Sequence, residues 1–370
     1  MKKTKTLIGI TGNIATGKSV VRRMLANAGA LGLDADVIAH RVIYPQGPAF
    51  QPVVETFGEG ILNKNGEIDR TRLGEIVFHD PGELARLEAI VHPAVTDAIH
   101  NRLEHTQCSL AALEAIKLIE AGLGKTCNAV WVTHAPREVQ LDRLIRSRGL
   151  RQSEAQTRIS AQPPQGEKLD RADWVIHTDG AFQHTWNQVT NALNDTIHKK
   201  DLGTPTSNTR QTAPPAAYDL PHDELLRFWK AQAVASISSL YEALGVGMIQ
   251  PLLNEGRLGA LLLWEEWNFT AMLTRVLPSE ALLADLANVM EAYRAAARRQ
   301  GCEILMLANE LVSGFDLDPG ALGYTHATPE TLGYPAWRIA AQKNKGTDHE
   351  SVWTQVLAAP LEADGNFQLK

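Results

Sequence analysis

Residues 12–19 read Gly-Asn-Ile-Ala-Thr-Gly-Lys-Ser, a complete G-x-x-x-x-G-K-[ST] phosphate-binding loop. Thr6-Leu7-Ile8-Gly9-Ile10-Thr11 precedes it, an apolar and partly β-branched run that reads as a buried strand. After it, Val21, Met24 and Leu25 recur at helical spacing, and Gly29 supplies a stop. An incidental glycine-rich loop would lack these flanks. Gly12 and Gly17 permit a tight turn, so the amides of Asn13, Ile14, Ala15 and Thr16 point inward at phosphate oxygens. The helix N-terminus, through Val20, adds its positive dipole end. In such a loop Lys18 reaches the β- and γ-phosphates, and the Ser19 hydroxyl binds Mg²⁺.

The rest of the first half fits that beginning. Short apolar runs at 30–33, 110–116, 129–133 and 174–177 alternate with helical stretches at 73–78, 82–105, 137–148, 153–162 and 182–198. Such alternation predicts a parallel sheet covered on both faces, with its site beyond the carboxyl ends of the strands. The second apolar run ends in Asp34-Ala35-Asp36. Strand alternation would put both carboxylates on one side. One would orient an acceptor hydroxyl and take its proton, and the other would help hold hydrated Mg²⁺. An alternative stays open for Asp36, that it caps the helix beginning at Val37. Arg143, Arg146, Arg148 and Arg151 form a basic cluster, with Arg143 and Arg146 on one helix face. Arginines over a nucleotide neutralise charge on the transferred phosphoryl group, and a closing lid excludes water. The alternative is ordinary surface charge.

The chain has 370 residues, enough for two ordinary domains. A net charge of −6 gives no nucleic-acid footprint. Cys108, Cys127 and Cys302 are far apart and lack metal-ligand spacing. No stretch approaches the ~20 apolar residues of a membrane span, and the basic N-terminus is followed by too short an apolar run for a signal peptide. The expectation is a reduced, cytoplasmic protein. Residues 201–221 are small, polar and proline-rich and read as a linker across which few contacts pass. The expected division is 1–200, a linker at 201–221, and a second domain at 222–370.

In the first part the sequence resembles the dephospho-CoA kinases. The resemblance runs over about 6–198. It is carried by Gly9-Ile10-Thr11-Gly12 with Lys18-Ser19, by Asp34-Ala35-Asp36-Val37-Ile38-Ala39, and by Gly66-Glu67-Ile68-Asp69-Arg70. Leu87-Glu88-Ala89-Ile90-Val91-His92-Pro93, Arg158-Ile159 with Gln162, Glu167-Lys168 and Ala172-Asp173-Trp174-Val175-Ile176 continue it in order. The resemblance implies an α/β fold of the P-loop NTPase, nucleoside-monophosphate-kinase-like type, a parallel sheet with helices on both faces. It implies phosphorylation of the ribose 3′-hydroxyl of dephospho-CoA, with ATP and Mg²⁺ as cofactors. It makes Lys18, Asp36 and Arg143 catalytic, with Asp36 as base and Arg143 over the ATP phosphates. Ser19 and Asp34 would hold the metal, and Arg70, His92 and Glu120 would line the acceptor side with Asp36. The sequence departs from the family at Asn13 and Ala15, where glycines are usual. It departs again at Ile116-Lys117-Leu118-Ile119-Glu120, where a proline is lost, and at Thr178, where asparagine is usual. The alternative readings are a nucleotide-binding regulatory protein without turnover and a bifunctional protein with an acyl-CoA-dependent C-terminal domain.

Residues 222–370 are less informative. Helical spacing runs from Leu225 to Leu244. Gly259 to Trp267 and Thr270 to Leu277 read as a hairpin around Asn268-Phe269. Ser279 would cap one long helix ending at Gly301, and Glu303 to Ala308 reads as a strand. This second, smaller α+β domain faintly resembles the GCN5-related N-acetyltransferases, which bind acyl-CoA. The glycine-rich pyrophosphate loop of that fold is missing at Val276-Leu277-Pro278-Ser279-Glu280. Trp264, Trp267, Phe269, Tyr324, Tyr334 and Trp337 are assigned to the core by default.

Overall fold

The computed structural model describes residues 5–201, 220–232, 240–267, 269–328, 332, 337–338, 341–342 and 352–357. Most of the linker, Tyr334 and the side chain of Trp267 lie outside these residues.

Five strands, β1 (Thr6–Thr11), β2 (Leu31–Asp34), β3 (Leu110–Glu114), β4 (Ala129–His134) and β5 (Trp174–His177), form one sheet in the order β2-β3-β1-β4-β5. Every pairing in it is parallel. Helices α1 (Lys18–Asn27), α2 (Ala35–Val42), α3 (Phe50–Phe57), α4 (Arg70–Val77), α5 (Pro81–His105), α6 (Arg137–Arg148), α7 (Gln152–Ser160), α8 (Gly166–Leu169) and α9 (Phe182–Asp201) connect and cover it. Strand alternation divides the core. Ile8 and Ile10 face α1 and α9, through Val21, Met24, Val189 and Leu193. Leu7, Leu31 and Leu33 face α2 and α5, through Ile38, Val95 and Ile99. Pro93 sits inside α5 without ending it, at an exposed turn where water can serve the freed carbonyl.

The second half supplies α10 (His222–Ala231), α11 (Leu240–Val246), β6 (Met248–Asn254), β7 (Arg257–Trp267), β8 (Thr270–Leu277), α12 (Glu280–Ala284), α13 (Leu286–Arg299), β9 (Ile304–Leu307), α14 (Asn309–Gly314), β10 (Thr325–Ala327) and β11 (Val352–Val356). Its six described strands run β10-β11-β9-β8-β7-β6. They are antiparallel except for the β8–β9 pair, which α12 and α13 connect. The single long helix expected from Ser279 is two, broken at Asp285, whose carboxylate caps the second by accepting from the Asn288 amide at 3.2 Å. Ser279 makes no side-chain cap. Trp264, Phe269, Tyr324 and Trp337 are buried. Among the described residues, no helix is long and apolar enough to cross a membrane.

The expectation of few contacts between the halves does not hold. Leu225, Trp229, Leu240, Leu244 and Leu263 of the second half share one apolar cluster with Val21 and Met24 of α1 and Val189 of α9. A Cβ added to Gly245 would lie 2.8 Å from the Phe182 ring and 3.1 Å from Val20, so glycine lets these surfaces close. Asn27, 2% exposed, donates to the Leu244 and Gly247 carbonyls, each at 2.9 Å, and accepts from the Ile249 amide at 2.8 Å. The linker's composition reports nothing about surfaces elsewhere in sequence, which is why these contacts were not expected.

Candidate active site

The phosphate loop follows β1 directly and leads into α1. Gly12 holds φ at 144° and Gly17 at 88°, conformations that side chains resist. A Cβ on Gly12 would lie 2.6 Å from the Thr133 carbonyl oxygen, so the loop can pass β4 only without one. Ala15 stands at φ 58°, where an L side chain costs about 1–2 kcal/mol over glycine. Its carbonyl accepts from Arg143 at 3.0 Å. The Thr16 and Thr133 hydroxyls meet at 2.7 Å, and Thr178 donates to the Thr16 carbonyl at 2.8 Å. Thr178, where the family usually has asparagine, thus ties β5 to the loop.

Lys18 donates to the Gly12 and Asn13 carbonyls, each at 3.0 Å. Burial lowers its pKa. Lys168 and Arg148 lower it further, while Glu114 and Asp36 oppose them. The charges of Glu114, Asp36, Lys168 and Arg148 are therefore all felt at the Lys18 ammonium.

The two aspartates take different places. Asp34 is the N-cap of α2, its Oδ1 accepting from the amides of Asp36 and Val37 at 3.0 and 3.1 Å. The open alternative for Asp36 is thereby decided: capping falls to Asp34, and Asp36 lies in the first turn with its side chain exposed. Burial and the Glu114 carboxylate hold Asp34 well above the usual carboxylate range. The protein packed around Asp36 raises it too, with Glu114 adding and Lys18 and Lys117 opposing.

Glu114 ends β3 in register with Asp34 and is 5% exposed. Its Oε1 accepts from the Ser19 hydroxyl at 2.7 Å, and its Oε2 meets Arg22 Nε at 3.1 Å. A hydroxyl whose proton is engaged by a carboxylate offers only lone pairs to a cation. Ser19 and the Asp34 carboxylate are the hard oxygen donors that suit Mg²⁺, which otherwise keeps waters and substrate phosphates. Among the described residues, no three His, Cys, Asp or Glu side chains form a metal cage.

The arginine cluster divides. Arg143 donates to the Ala15 carbonyl and to Thr178 from a half-buried position beside the loop. Arg146 is exposed and pairs with Asp142 at 2.6 Å. Arg148 is the member whose charge reaches Lys18. Of the residues the resemblance assigns to the acceptor, Arg70 begins α4 and its charge reaches His40 and Tyr44. Burial and Arg70 push His40 down to about 4. His92 is exposed on α5, inside the helix. Glu120 pairs with Lys168 at 3.3 Å, and Lys168, 5% exposed, also donates to the Ile116 carbonyl at 2.7 Å.

A family model described as dephospho-CoA kinase matches residues 6–184. The dephospho-CoA kinase of Geobacter sulfurreducens is 44% identical over 177 residues, which are 47% of this chain and 90% of that one. That of Symbiobacterium thermophilum is 42% identical over 186 residues, 50% of this chain and 78% of its own.

The chain belongs to the dephospho-CoA kinase family.

The solved dephospho-CoA kinase from Campylobacter jejuni covers 53% of this chain and 99% of its own, at 26% identity and a TM-score of 0.40. The family model stops at residue 184, before the second half begins. Sequence reasoning gave no role to Glu114, Lys168 or Arg22 of this dephospho-CoA kinase family member. The available signal was charge out of place: Glu114 in the apolar run 110–116, and Arg22 beside Val21 and Met24.

Proposed function

We propose that the chain transfers the γ-phosphoryl group of ATP to the ribose 3′-hydroxyl of dephospho-CoA, giving ADP and coenzyme A. The observation that carries this is the gathering of Lys18 at the start of α1, Asp36 in the first turn of α2 and Glu114 at the end of β3, close enough that each carboxylate's charge is felt at the Lys18 ammonium. Asp36 accepts the hydroxyl proton as that oxygen forms its bond to the γ-phosphorus. The bond from phosphorus to the β–γ bridging oxygen breaks, and its electron pair leaves with ADP. A carboxyl raised above its ordinary pKa is a better matched base at neutral pH than a free aspartate. Lys18, Lys168 and Arg148 place positive charge where the transferred group gathers negative charge. Ser19 and Asp34 would hold Mg²⁺, which supplies further neutralisation of the phosphates. Arg70, at the start of α4, would anchor an anionic acceptor. A coupled ADP-release assay with ATP, Mg²⁺ and an acceptor panel tests the reading. Release that requires dephospho-CoA supports it, and equal release with water alone refutes it.

For the second half we propose an acyl-CoA-binding role. Two observations favour it. The only parallel pair among its described strands, β8 with β9, ends at Leu273 and Leu307, although β8 continues to Leu277. Beyond that divergence lies a cavity of about 470 Å³, walled by Thr274, Val276, Leu277, Gln232, Leu311 and Phe315 among others. Calorimetry of the full chain with acetyl-CoA tests the role. Val276→Trp should abolish a binding event that Lys18→Ala leaves intact, and no such event would refute it.

A further inference from the structure

Arg22 lies one turn beyond the phosphate loop on α1, and its side chain is 7% exposed. A buried cation needs partners, and it has two. One is Glu114 of the first half. The other is Glu266 of β7, whose Oε2 lies 2.9 Å from Arg22 Nη1 and whose side chain is 14% exposed. A buried relay therefore runs from β7 of the second sheet, through Arg22 and Glu114, to the Ser19 hydroxyl. The backbone makes room for it: a Cβ on Gly32 would lie 2.9 Å from Arg22 Nη1. Burial alone would lower the Arg22 pKa, and Glu266 followed by Glu114 more than offsets this and raises it well above its ordinary value. Glu266 is thus no rim charge.

We propose that Glu266 is a positioning residue for the phosphate loop: by sharing Arg22 it sets how Glu114 engages the Ser19 hydroxyl, and so makes the metal-binding face of the kinase half depend on the second half. This rests on the kinase reading of the site. The physical argument is one of shared charge. With both carboxylates present, Arg22 is held between them, and Glu114 Oε1 stays free to accept from Ser19. With Glu266 neutralised, Arg22 keeps Glu114 as its ion-pair partner, with the Asp34 charge acting from further off, and draws the Glu114 carboxylate into a two-point pairing. Ser19 then loses its acceptor, and its proton is free to point at the cation. Groups that orient a metal ligand from one shell out commonly change metal affinity 10–100-fold when altered.

The experiment compares the full-length chain with Glu266→Gln, Glu266→Asp, and the control Gln300→Leu. Gln300 also crosses between the halves, donating to the Ala30 carbonyl at 2.8 Å and accepting from the Gly32 amide at 3.0 Å, but it carries no charge to the loop. Two readouts are taken: the Mg²⁺ concentration giving half-maximal turnover, and calorimetric ATP binding with and without Mg²⁺. Glu266→Gln should raise the Mg²⁺ requirement roughly ten-fold and weaken ATP binding only when Mg²⁺ is present. The KM for dephospho-CoA should stay at the parental value. Glu266→Asp should recover much of the effect, and Gln300→Leu should lower thermal stability with no change in Mg²⁺ requirement. In an Arg22→Met background, Glu266→Gln should do nothing further, because its route is gone. The proposal is overturned if Glu266→Gln and Gln300→Leu behave alike, or if Glu266→Gln acts undiminished without Arg22. If the parental chain turns over no acceptor at all, the kinase reading fails. The Mg²⁺-dependent calorimetry still decides the relay in that case.

Discussion

Leu244→Ala tests whether the halves form one cooperative body. Leu244 is fully buried in the cluster it shares with Val21, Met24 and Val189. Its carbonyl is held by Asn27 at 2.9 Å, and Gly245 beside it packs closely on Phe182. With both neighbours fixed, the site cannot collapse to fill the space left by the shortened side chain. The loss should lie inside the 2–5 kcal/mol range of buried Leu→Ala changes, at about 3 kcal/mol. The informative point is where the loss appears. ATP with Mg²⁺ should bind the first half and stabilise whatever unfolds with it. Differential scanning calorimetry and denaturant unfolding of the full chain should therefore give one transition, raised by ATP and lowered by Leu244→Ala. Two transitions, one moved only by ATP and the other only by Leu244→Ala, would refute the joint core. So would a loss below about 1 kcal/mol.

Lys18→Ala should abolish phosphoryl transfer in a folded protein, since its charge acts in the transition state and is worth several kcal/mol there. Near-parental turnover would exclude this nucleotide site. Asp36→Asn should lower kcat by about 10²–10⁴-fold with little change in the KM for ATP. If Asp34→Asn proved severe and Asp36→Asn mild, the base would be reassigned. His40 is held down to about 4 against an ordinary 6.5, so its neutral ring favours the fold. That contribution is complete above pH 6.5 and is lost as the pH falls through about 4. Allowing for the water that still reaches the ring, it is worth about 2 kcal/mol. His40→Asn should flatten the acid side of the stability curve by that amount, and an unchanged pH profile would contradict the burial argument.

The kinase half was legible because its signals are local. Each strand of the first sheet is a short apolar run between turn residues, and β5 falls where Trp174 to His177 placed it. The phosphate loop could be read from eight residues. What could not be read depends on contacts across the fold. Nothing in Asp34-Ala35-Asp36 says which carboxylate caps α2, because both lie within reach of its first turn. Arg143 has the spacing of a lid residue, and only the fold shows it bonded to the Ala15 carbonyl and to Thr178. Glu114 and Arg22 acquire meaning only once β3 lies beside α1. In the second half, β6 went unread because Met248-Ile249-Gln250-Pro251-Leu252 contains a proline and lacks alternation. Strands β10 and β11 are three and five residues long and carry little pattern.

Strand β2 stands at the margin of the first sheet, with β3 on one side only. Such a margin is a template on which another copy of the chain can add a strand. Here the carboxamide of Gln300 imitates a neighbouring strand, giving its N–H to the Ala30 carbonyl and its oxygen to the Gly32 amide. The Arg22 guanidinium covers the bare Cα of Gly32 beside it. Trimming the protein back to its catalytic half would thus uncover an apolar helix face and unzip a hydrogen-bonding border in one cut. The fragment's failing would be stickiness, a tendency to polymerise edge to edge, alongside whatever the loss of Glu266 does to its use of Mg²⁺.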